Sequence, residues 1–274
     1  MGLQQSPLYL TYIQKLGWKQ GFIDGVVMIY RHIFLLGGLA KIQRCEKLPD
    51  VHSLISALQK NKIRTLALEP SPHVSQEALD VFCEKLIDSV NINTSPFLPT
   101  KTIMVDLSAP EDVIFQRFSE AKRRAVRRAQ KNSVSVVESQ DIRAMSRIKS
   151  KSAGLLGSIT TYGLKELWET FGPENASILL AHHKTEQVGG VFLLFWEKTA
   201  YYWIVGAIRE GKKLFTPTLL VWEALKLSKK RGNKTFDFVG VWDERLPNQN
   251  KEWIGFTKFK EGFGGKEIYY PFAR

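Results

Sequence analysis

Three apolar segments follow one another in the second half of the chain, and only a few residues connect them. They are "ASILLAHH" (176–183), "VGGVFLLFW" (188–196) and "AYYWIVGA" (200–207). Each is rich in aromatic and branched aliphatic residues and shorter than a typical helix. Parallel strands need a crossover of a dozen or more residues, so such short connections favour antiparallel neighbours. The sequence therefore predicts a three-stranded antiparallel meander.

Capping residues predict helices on both sides of this meander. Ser-Pro at 6–7 and Thr-Pro at 216–217 pair an N-cap residue with proline, which favours helices over 6–17 and 216–231. A Ser-x-x-Glu capping box at 108–111 predicts a long helix reaching about residue 131. The apolar spacing of that helix predicts a buried face made of Ile114, Phe118, Ala121, Ala125 and Ala129.

The order of these elements indicates the fold class. A meander followed by helix, strand, short helix and strand is similar to the element order of the GNAT acyltransferase fold, and the first half repeats it loosely. We therefore expect an α/β (α+β) protein with two GNAT-like domains, each a mixed, mainly antiparallel sheet flanked by helices. The predicted domains are residues 1–138 and 139–274, and the strand at 266–274 is a candidate to return to the first domain.

The chain carries a formal net charge of +12, which favours polyanionic partners such as nucleic acid, phosphate-bearing substrates or an anionic lipid surface. Part of this charge lies in "AKRRAVRRAQKN" (121–132), where no acidic residue follows Glu120. Arg124, Arg128 and Lys131 share one stripe of the predicted helix. A solvated helix face is one interpretation of the stripe. Because unpaired like charges destabilise a helix, we favour binding of phosphates.

Residues that bind metals or form disulfides are sparse. Cys45 and Cys83 are far apart and form no CxxC pair, and the five histidines show no metal-ligand spacing. We expect no metal site, and two separated thiols fit a reducing, cytoplasmic location. The N-terminus lacks the basic-then-apolar order of a signal peptide. The apolar region 21–42 is interrupted by charged residues, so it predicts strands and not a membrane span.

The segment after the third meander strand resembles two nucleotide-binding loops and matches neither. "GAIREGKK" (206–213) has the G-x-x-x-x-G-K of a phosphate loop, but Lys213 replaces the Ser or Thr that holds magnesium. A GNAT enzyme binds the pyrophosphate of coenzyme A here through a glycine-containing loop, and "REGKKL" (209–214) lacks those glycines. We therefore expect no cofactor.

Near the carboxyl end, "GFTKFKEGFGG" (255–265) combines phenylalanines, lysines and glycines. A glycine-rich turn packed on aromatic residues would account for the phenylalanines and glycines. It does not account for Lys260, which lies between Phe259 and Gly262 in what should be a partly enclosed site.

Several segments, spread over nearly the whole chain, resemble the Fem family of peptidoglycan bridge-forming aminoacyltransferases. They are "QSPLYLTYIQKLGW", "IMVDLSAPEDVIFQRFSEAKRRAVRRAQKNSV", "AYYWIVGA", "WEALKLSKKRGNKTFDFVGV" and "GFTKFKEGFGG". The resemblance implies transfer of an amino acid from aminoacyl-tRNA to the stem-peptide amine of a nucleotide- or lipid-linked muropeptide, for cell wall synthesis. Peripheral contact with the inner membrane face is kept as an option.

The resemblance also implies roles for individual residues. It assigns the chemistry to the pair Phe259-Lys260 and acceptor binding to a tyrosine of "AYYWIVGA", for which Tyr202 is the best match. The family's acceptor-binding lysine on the first helix is replaced near Ile13-Gln14, with Lys15 the nearest substitute. Its Arg-x-x-x-Tyr pair is absent from "GSITTYGLKEL" (157–167), which offers only Tyr162.

In the expected reaction, an amine attacks the ester that joins an amino acid to tRNA, and the Lys260 ammonium stabilises the oxyanion by ~3 kcal/mol. Asp106 is a candidate base, although a structural role at the end of a strand near a helix cap is the slightly better interpretation. Two alternatives stay open: a GNAT-like N-acyltransferase that modifies another amine or a lipid, and a non-catalytic, basic RNA-binding protein.

Overall fold

The computed structural model describes residues 1–35, 37–154 and 160–274. By packing, the chain divides into two compact units: Met1–Lys101 with Ile268–Arg274, and Thr102–Glu267. Each unit contains a mixed sheet flanked by helices, which confirms the predicted fold class.

The first unit is built on a five-stranded sheet of order β1-β2-β3-β4-β5. Strands β1 to β3 are antiparallel, whereas β3, β4 and β5 are parallel. The apolar region 21–42 forms strands, as predicted, and in the described ranges no helix is long and apolar enough to cross a membrane. The elements in chain order are α1 (Pro7–Lys15), β1 (Lys19–Ile23), β2 (Val26–Ile33), β3 (Gly37–Gln43), α2 (Val51–Lys60), β4 (Ile63–Glu69), α3 (Gln76–Glu84) and β5 (Asn91–Ile92).

The second unit contains most of a seven-stranded sheet of order β12-β6-β11-β10-β9-β8-β7. The elements in chain order are β6 (Lys101–Asp106), α4 (Glu111–Gln116), α5 (Glu120–Lys131), β7 (Val134–Ser139), α6 (Ile142–Ala153), α7 (Leu164–Phe171), β8 (Ala176–His183), β9 (Glu186–Trp196), β10 (Thr199–Ala207), α8 (Arg209–Lys213), α9 (Thr216–Lys230), β11 (Thr235–Asp237), α10 (Ile254–Glu261) and β12 (Lys266–Tyr269).

The segment 102–138 belongs to this second unit, whereas the domain boundary expected from the sequence lay at residue 138. Its apolar side chains explain the difference. Ile103 and Val105 of β6 and Val126 of α5 are buried in the core of the second unit, together with residues of β9 and β10.

The predicted meander is confirmed. Strand β8 pairs antiparallel with β9, and β9 pairs antiparallel with β10. The register of β10 shifts between Tyr202 and Ile204, so the strand contains a bulge at Trp203. The helices with Ser-Pro and Thr-Pro starts also form, over Pro7–Lys15 and Thr216–Lys230. Ser6 is the N-cap as predicted, whereas Thr216 is the first residue of its helix and Phe215 occupies the N-cap position.

The single long helix expected over 108–131 is wrong, because the segment forms two helices, α4 and α5. The hydroxyl of Ser119 accepts a hydrogen bond from the Lys122 backbone N–H and caps α5. The guanidinium of Arg123 donates to the carbonyls of Gln116 and Phe118 at the end of α4. The break rotates the buried face: Val126 and Ala129 are buried on α5, whereas Ala121 is exposed.

Candidate active site

The site lies where two parallel strands of the second unit separate. Strands β10 and β11 pair only over Thr199–Tyr201 and Thr235–Asp237. β10 continues through its bulge, while the chain after β11 turns away at Val239 (φ 54°) and Gly240 (φ 113°). Parallel strands that diverge leave space at their carboxyl ends, which is a common place for a ligand.

Lys260 of α10 reaches this turn. Its Nζ donates to the carbonyl oxygens of Phe238 at 2.9 Å and Gly240 at 2.6 Å. Burial lowers the pKa of the Lys260 ammonium to about 8, and the Asp237 carboxylate partly opposes this effect. Two of the three N–H donors of the ammonium are thus held by backbone, which fixes the position of the charge and leaves one N–H for another acceptor.

A buried carboxylate holds the turn in shape. Asp237 is only 4% exposed, and its Oδ1 accepts from the Thr102 hydroxyl at 2.5 Å and from the Val239 N–H at 2.7 Å. The Thr102 hydroxyl in turn accepts from the Gly240 N–H at 3.0 Å. Since this network orients the carbonyls of Phe238 and Gly240, it also positions the Lys260 ammonium.

Phe259, the neighbour of Lys260, packs against Phe263 and Lys122. Its ring contacts Phe263 at a centroid distance of 5.2 Å, and the Lys122 Nζ lies 3.8 Å from its centroid. A Cβ on Gly262 would lie 2.7 Å from Cε of Lys122, so glycine there lets the lysine cross the helix end. Burial lowers the pKa of Lys122 to about 8. The phenylalanine therefore joins α10 to α5.

Tyr202 lies in the core beside this turn. Its ring is 5.6 Å from that of Phe238 and 5.8 Å from that of Phe236, and the residue is 4% exposed. Burial raises the pKa of its hydroxyl, which has no hydrogen-bond partner among the described residues. The structure thus brings Tyr202 and Lys260 to the same aromatic side chain, Phe238. The tyrosine hydroxyl itself is enclosed by protein.

Asp106 lies at a different place. It is opposite Thr235 at the start of β11, whereas Lys260 binds carbonyls beyond the end of that strand. Its carboxylate is exposed, accepts from the Ser108 N–H at 2.8 Å and lies 3.6 Å from Arg117. The Ser108 hydrogen bonds and the Arg117 charge hold the Asp106 pKa below its usual value. These contacts are typical of the end of a strand, and the lowered pKa makes the Asp106 carboxylate a weaker base.

The predicted basic stripe is on the outer side of α5. Arg124, Arg128 and Lys131 are exposed. Arg124 lies 3.3 Å from Glu120, so the stripe is neutralised in part, contrary to the expectation that it stays unpaired. Arg128 lies 5.6 Å from the centroid of Phe215. Such exposed pairs cost little to break, so the cations stay accessible to phosphates.

Two further predicted residues belong to other elements of the chain. Tyr162 precedes α7 and is 69% exposed, and residues 157–159 of its segment lie outside the described residues. Lys15 ends α1 in the first unit and is exposed.

The junction between β10 and α9 is short and helical. The short helix α8 fills it, and the backbone N–H groups of Lys212, Leu214 and Phe215 donate to carbonyls of the same segment. Gly211 packs so closely on Val188 of β9 that a Cβ would collide with its carbonyl oxygen. These N–H groups are therefore already used inside the protein.

Sequence reasoning missed Asp237 and Lys122. The signal for Asp237 was present, because "FDF" places an acid between two core phenylalanines at 236–238. Lys122 had no such signal, since it stands among many cations and only the fold separates it from them.

Comparison with known proteins agrees with this architecture. The chain is similar in structure to FemX, with a TM-score of 0.72 and 14% identity over 98% of this chain and 90% of the other. It is also similar to the C-terminal domain of a candidate lysylphosphatidylglycerol synthetase from Agrobacterium fabrum, with a TM-score of 0.61, 14% identity and coverage of 98% and 87%. For L-PGS from Bacillus licheniformis the TM-score is 0.58 at 13% identity, with coverage of 98% and 92%.

These identities are low, so the three likenesses concern the fold alone. No curated protein sequence matches the chain significantly. The model of the acetyltransferase (GNAT) domain family matches residues 116–253, which is half of the chain and includes the meander, β11 and the turn that holds Lys260. The fold is that of acyltransferases, and the chain belongs to the acetyltransferase (GNAT) domain family.

Proposed function

We propose that this protein transfers an amino acid from aminoacyl-tRNA to the stem-peptide amine of a peptidoglycan precursor, linked to a nucleotide or a lipid. The observation that carries the proposal is the Lys260 ammonium, held by two backbone carbonyls at the point where β10 and β11 separate. The resemblance of several segments to the Fem family and the similarity of the fold to FemX support it.

The reaction is aminolysis of an ester. The acceptor amine forms a bond to the ester carbonyl carbon, and negative charge develops on the carbonyl oxygen. The ester C–O bond then breaks, and the ribose hydroxyl of the tRNA takes up the proton that the amine loses. A cation fixed before the reaction stabilises this intermediate without reorganisation.

Lys260 suits this role because its position and charge are set by backbone. Its remaining N–H is free to donate to a substrate oxygen, and a fixed donor of this kind contributes ~3 kcal/mol to the transition state. With a pKa of about 8, the side chain is mainly charged at neutral pH. We assign no base to the protein: Asp106 stays a prediction, and substrate groups are the simplest carriers of the proton.

Two features support the choice of donor. Coenzyme A is bound in GNAT enzymes by free backbone N–H groups at this position, whereas those of Lys212, Leu214 and Phe215 are engaged internally. The exposed cations of α5, Arg124, Arg128 and Lys131 among them, are suited to the phosphates of tRNA. Both features favour a nucleic acid donor over a dinucleotide-like cofactor.

The test uses the wild type and Lys260→Met with mixed aminoacyl-tRNAs and a nucleotide-linked muropeptide, followed by mass spectrometry. We expect the wild type to add one amino acid and the variant to lose ~100- to 1000-fold in rate. Lys258→Met is the matched control, because Lys258 is exposed on the same helix, and it should keep its activity. An unchanged rate in Lys260→Met would remove the assignment. Parallel reactions with acetyl coenzyme A, or with a lipid amine as acceptor, identify a different acyl transfer.

A further inference from the structure

The turn between β2 and β3 in the first unit carries exposed apolar side chains. Phe34 is 88% exposed, Leu35 is 85% exposed, and Ile33 before them is also exposed. Hairpin turns normally contain Gly, Asn or Asp, which tolerate a left-handed backbone and contact water. Here Leu35 adopts φ 67°. The left-handed position of Leu35, which favours a small polar residue, thus holds a large apolar one. An exposed apolar side chain at such a position indicates a contact with a partner outside the folded chain.

Cations flank these side chains. Arg31 precedes the turn on β2, and Lys62 and Arg64 come from the start of β4; all three are exposed. Strand β4 lies beside β3, and Cδ of Arg64 lies 2.6 Å from the position that a Cβ on Gly37 would take, directly after the turn. Strands β2 and β3 contain no acidic residue. The result is an apolar tip with positive charge beside it.

We propose that this surface, called the hairpin tip and formed by Ile33, Phe34 and Leu35 with Arg31, Lys62 and Arg64, docks on an anionic lipid bilayer. Aromatic and aliphatic side chains insert into the boundary between headgroups and acyl chains, while the cations bind lipid phosphates. The long stems of Arg31, Lys62 and Arg64 allow their charges to stay at headgroup level.

A second copy of the chain is a poorer partner for the same surface. Two hairpin tips in contact would bring their cations together, and like charges across an interface oppose association. A bilayer with anionic lipids matches both parts of the tip, since it has an apolar interior and a negative surface. The inference is independent of the aminoacyl transfer proposed above, although a position on the membrane would suit a lipid-linked acceptor.

The test is cosedimentation with vesicles. One set contains phosphatidylglycerol and phosphatidylcholine in equal amounts, and the other contains phosphatidylcholine alone. We expect the wild type to bind the mixed vesicles, and Phe34→Ser/Leu35→Ser to bind them at least ~10-fold more weakly, since apolar burial in the interface is lost. Lys62→Gln/Arg64→Gln should lower binding to the mixed vesicles by a similar factor and show little difference from the wild type on neutral vesicles.

Two matched controls lie in the same unit. Phe22→Ser removes a phenylalanine that is 65% exposed, on β1 opposite Val27 and therefore at the far end of the β2 strand from the tip. Lys47→Gln/Lys85→Gln removes two exposed charges elsewhere in the unit. Both should bind like the wild type. Because the substituted side chains are exposed, circular dichroism should be unchanged in every variant.

Failure of the wild type to bind mixed vesicles would overturn the proposal, as would equal losses in the tip and control variants. Sedimentation analysis can also show a wild-type dimer that Phe34→Ser/Leu35→Ser no longer forms, with no binding to vesicles. That result would identify a second copy of the chain as the partner of the hairpin tip and would also overturn the membrane proposal. The tip variants should keep full transferase activity on a soluble nucleotide-linked acceptor. This readout separates failure of the membrane inference from failure of the proposed reaction.

Discussion

Replacing Lys260 with methionine should change the pH dependence of stability as well as the activity. The folded protein lowers the pKa of Lys260 from 10.5 to about 8, mainly through burial. Since the folded state binds this proton more weakly than the unfolded state, the charged lysine opposes folding at neutral pH. This cost is fully present below about pH 8 and disappears as the pH rises through 10.5.

The magnitude follows from the two pKa values. Each tenfold change in proton affinity corresponds to ~1.4 kcal/mol, so the cost is about 3 kcal/mol at pH 7 and about 1 kcal/mol at pH 9.5. Part of the side chain stays exposed, which makes both figures upper values. The variant leaves the carbonyls of Phe238 and Gly240 without this donor, but that loss is the same at both pH values. The stability of the wild type relative to Lys260→Met should therefore rise by up to ~2 kcal/mol from pH 7 to pH 9.5.

The assay is urea unfolding of both proteins at each pH, with the difference in free energy of unfolding as the readout. Lys258→Met, on the exposed side of the same helix, should show no pH-dependent difference from the wild type. If the difference between the wild type and Lys260→Met is the same at both pH values, Lys260 is well hydrated. Lys260 would then not be a fixed cation in a partly dry site.

Three further substitutions test the packing of the second unit. Tyr202→Phe removes a buried hydroxyl that lacks a partner among the described residues, so thermal unfolding should show unchanged or slightly higher stability, by up to ~1 kcal/mol; a clear loss would show that the hydroxyl is bonded. Gly211→Ala directs a Cβ at the Val188 carbonyl and should lower the free energy of unfolding in urea by ~1–3 kcal/mol. The Cβ of Gly255→Ala meets open space on α10, so this variant should raise the free energy of unfolding by ~0.5–1 kcal/mol. If Gly211→Ala and Gly255→Ala change the free energy of unfolding in the same direction, the packing described for these two glycines is wrong.

Elements with local signals were predicted well. The meander was recognisable because short connections restrict strand pairing, and β8, β9 and β10 pair in that way. The Ser6 cap was recognisable because its partner, the Tyr9 N–H, is three residues away.

Elements that depend on distant residues were predicted poorly. The break between α4 and α5 depends on Ser119, whose N–H donates to the Gly262 carbonyl at 2.9 Å, more than a hundred residues away in the chain. The segment 102–138 joins the second unit because β6 pairs with β11, and no local pattern encodes that pairing. Asp106 and Lys260 were placed in one reaction on the basis of residue type, whereas the strand register separates them.

The sequence by itself determined the class of fold and the position of most helices and strands, since these depend on residues close in the chain. It pointed to the lysine in the Phe-Lys pair through the resemblance to a family, and the role of that lysine stays a prediction. Only the tertiary structure decided that this lysine is held by the carbonyls of Phe238 and Gly240, that Asp237 orients them, and that Tyr202 is enclosed. The physical reason is that a pKa, a hydrogen bond to backbone and the burial of a hydroxyl depend on which atoms surround the group. Residues far apart in the sequence supply most of those atoms.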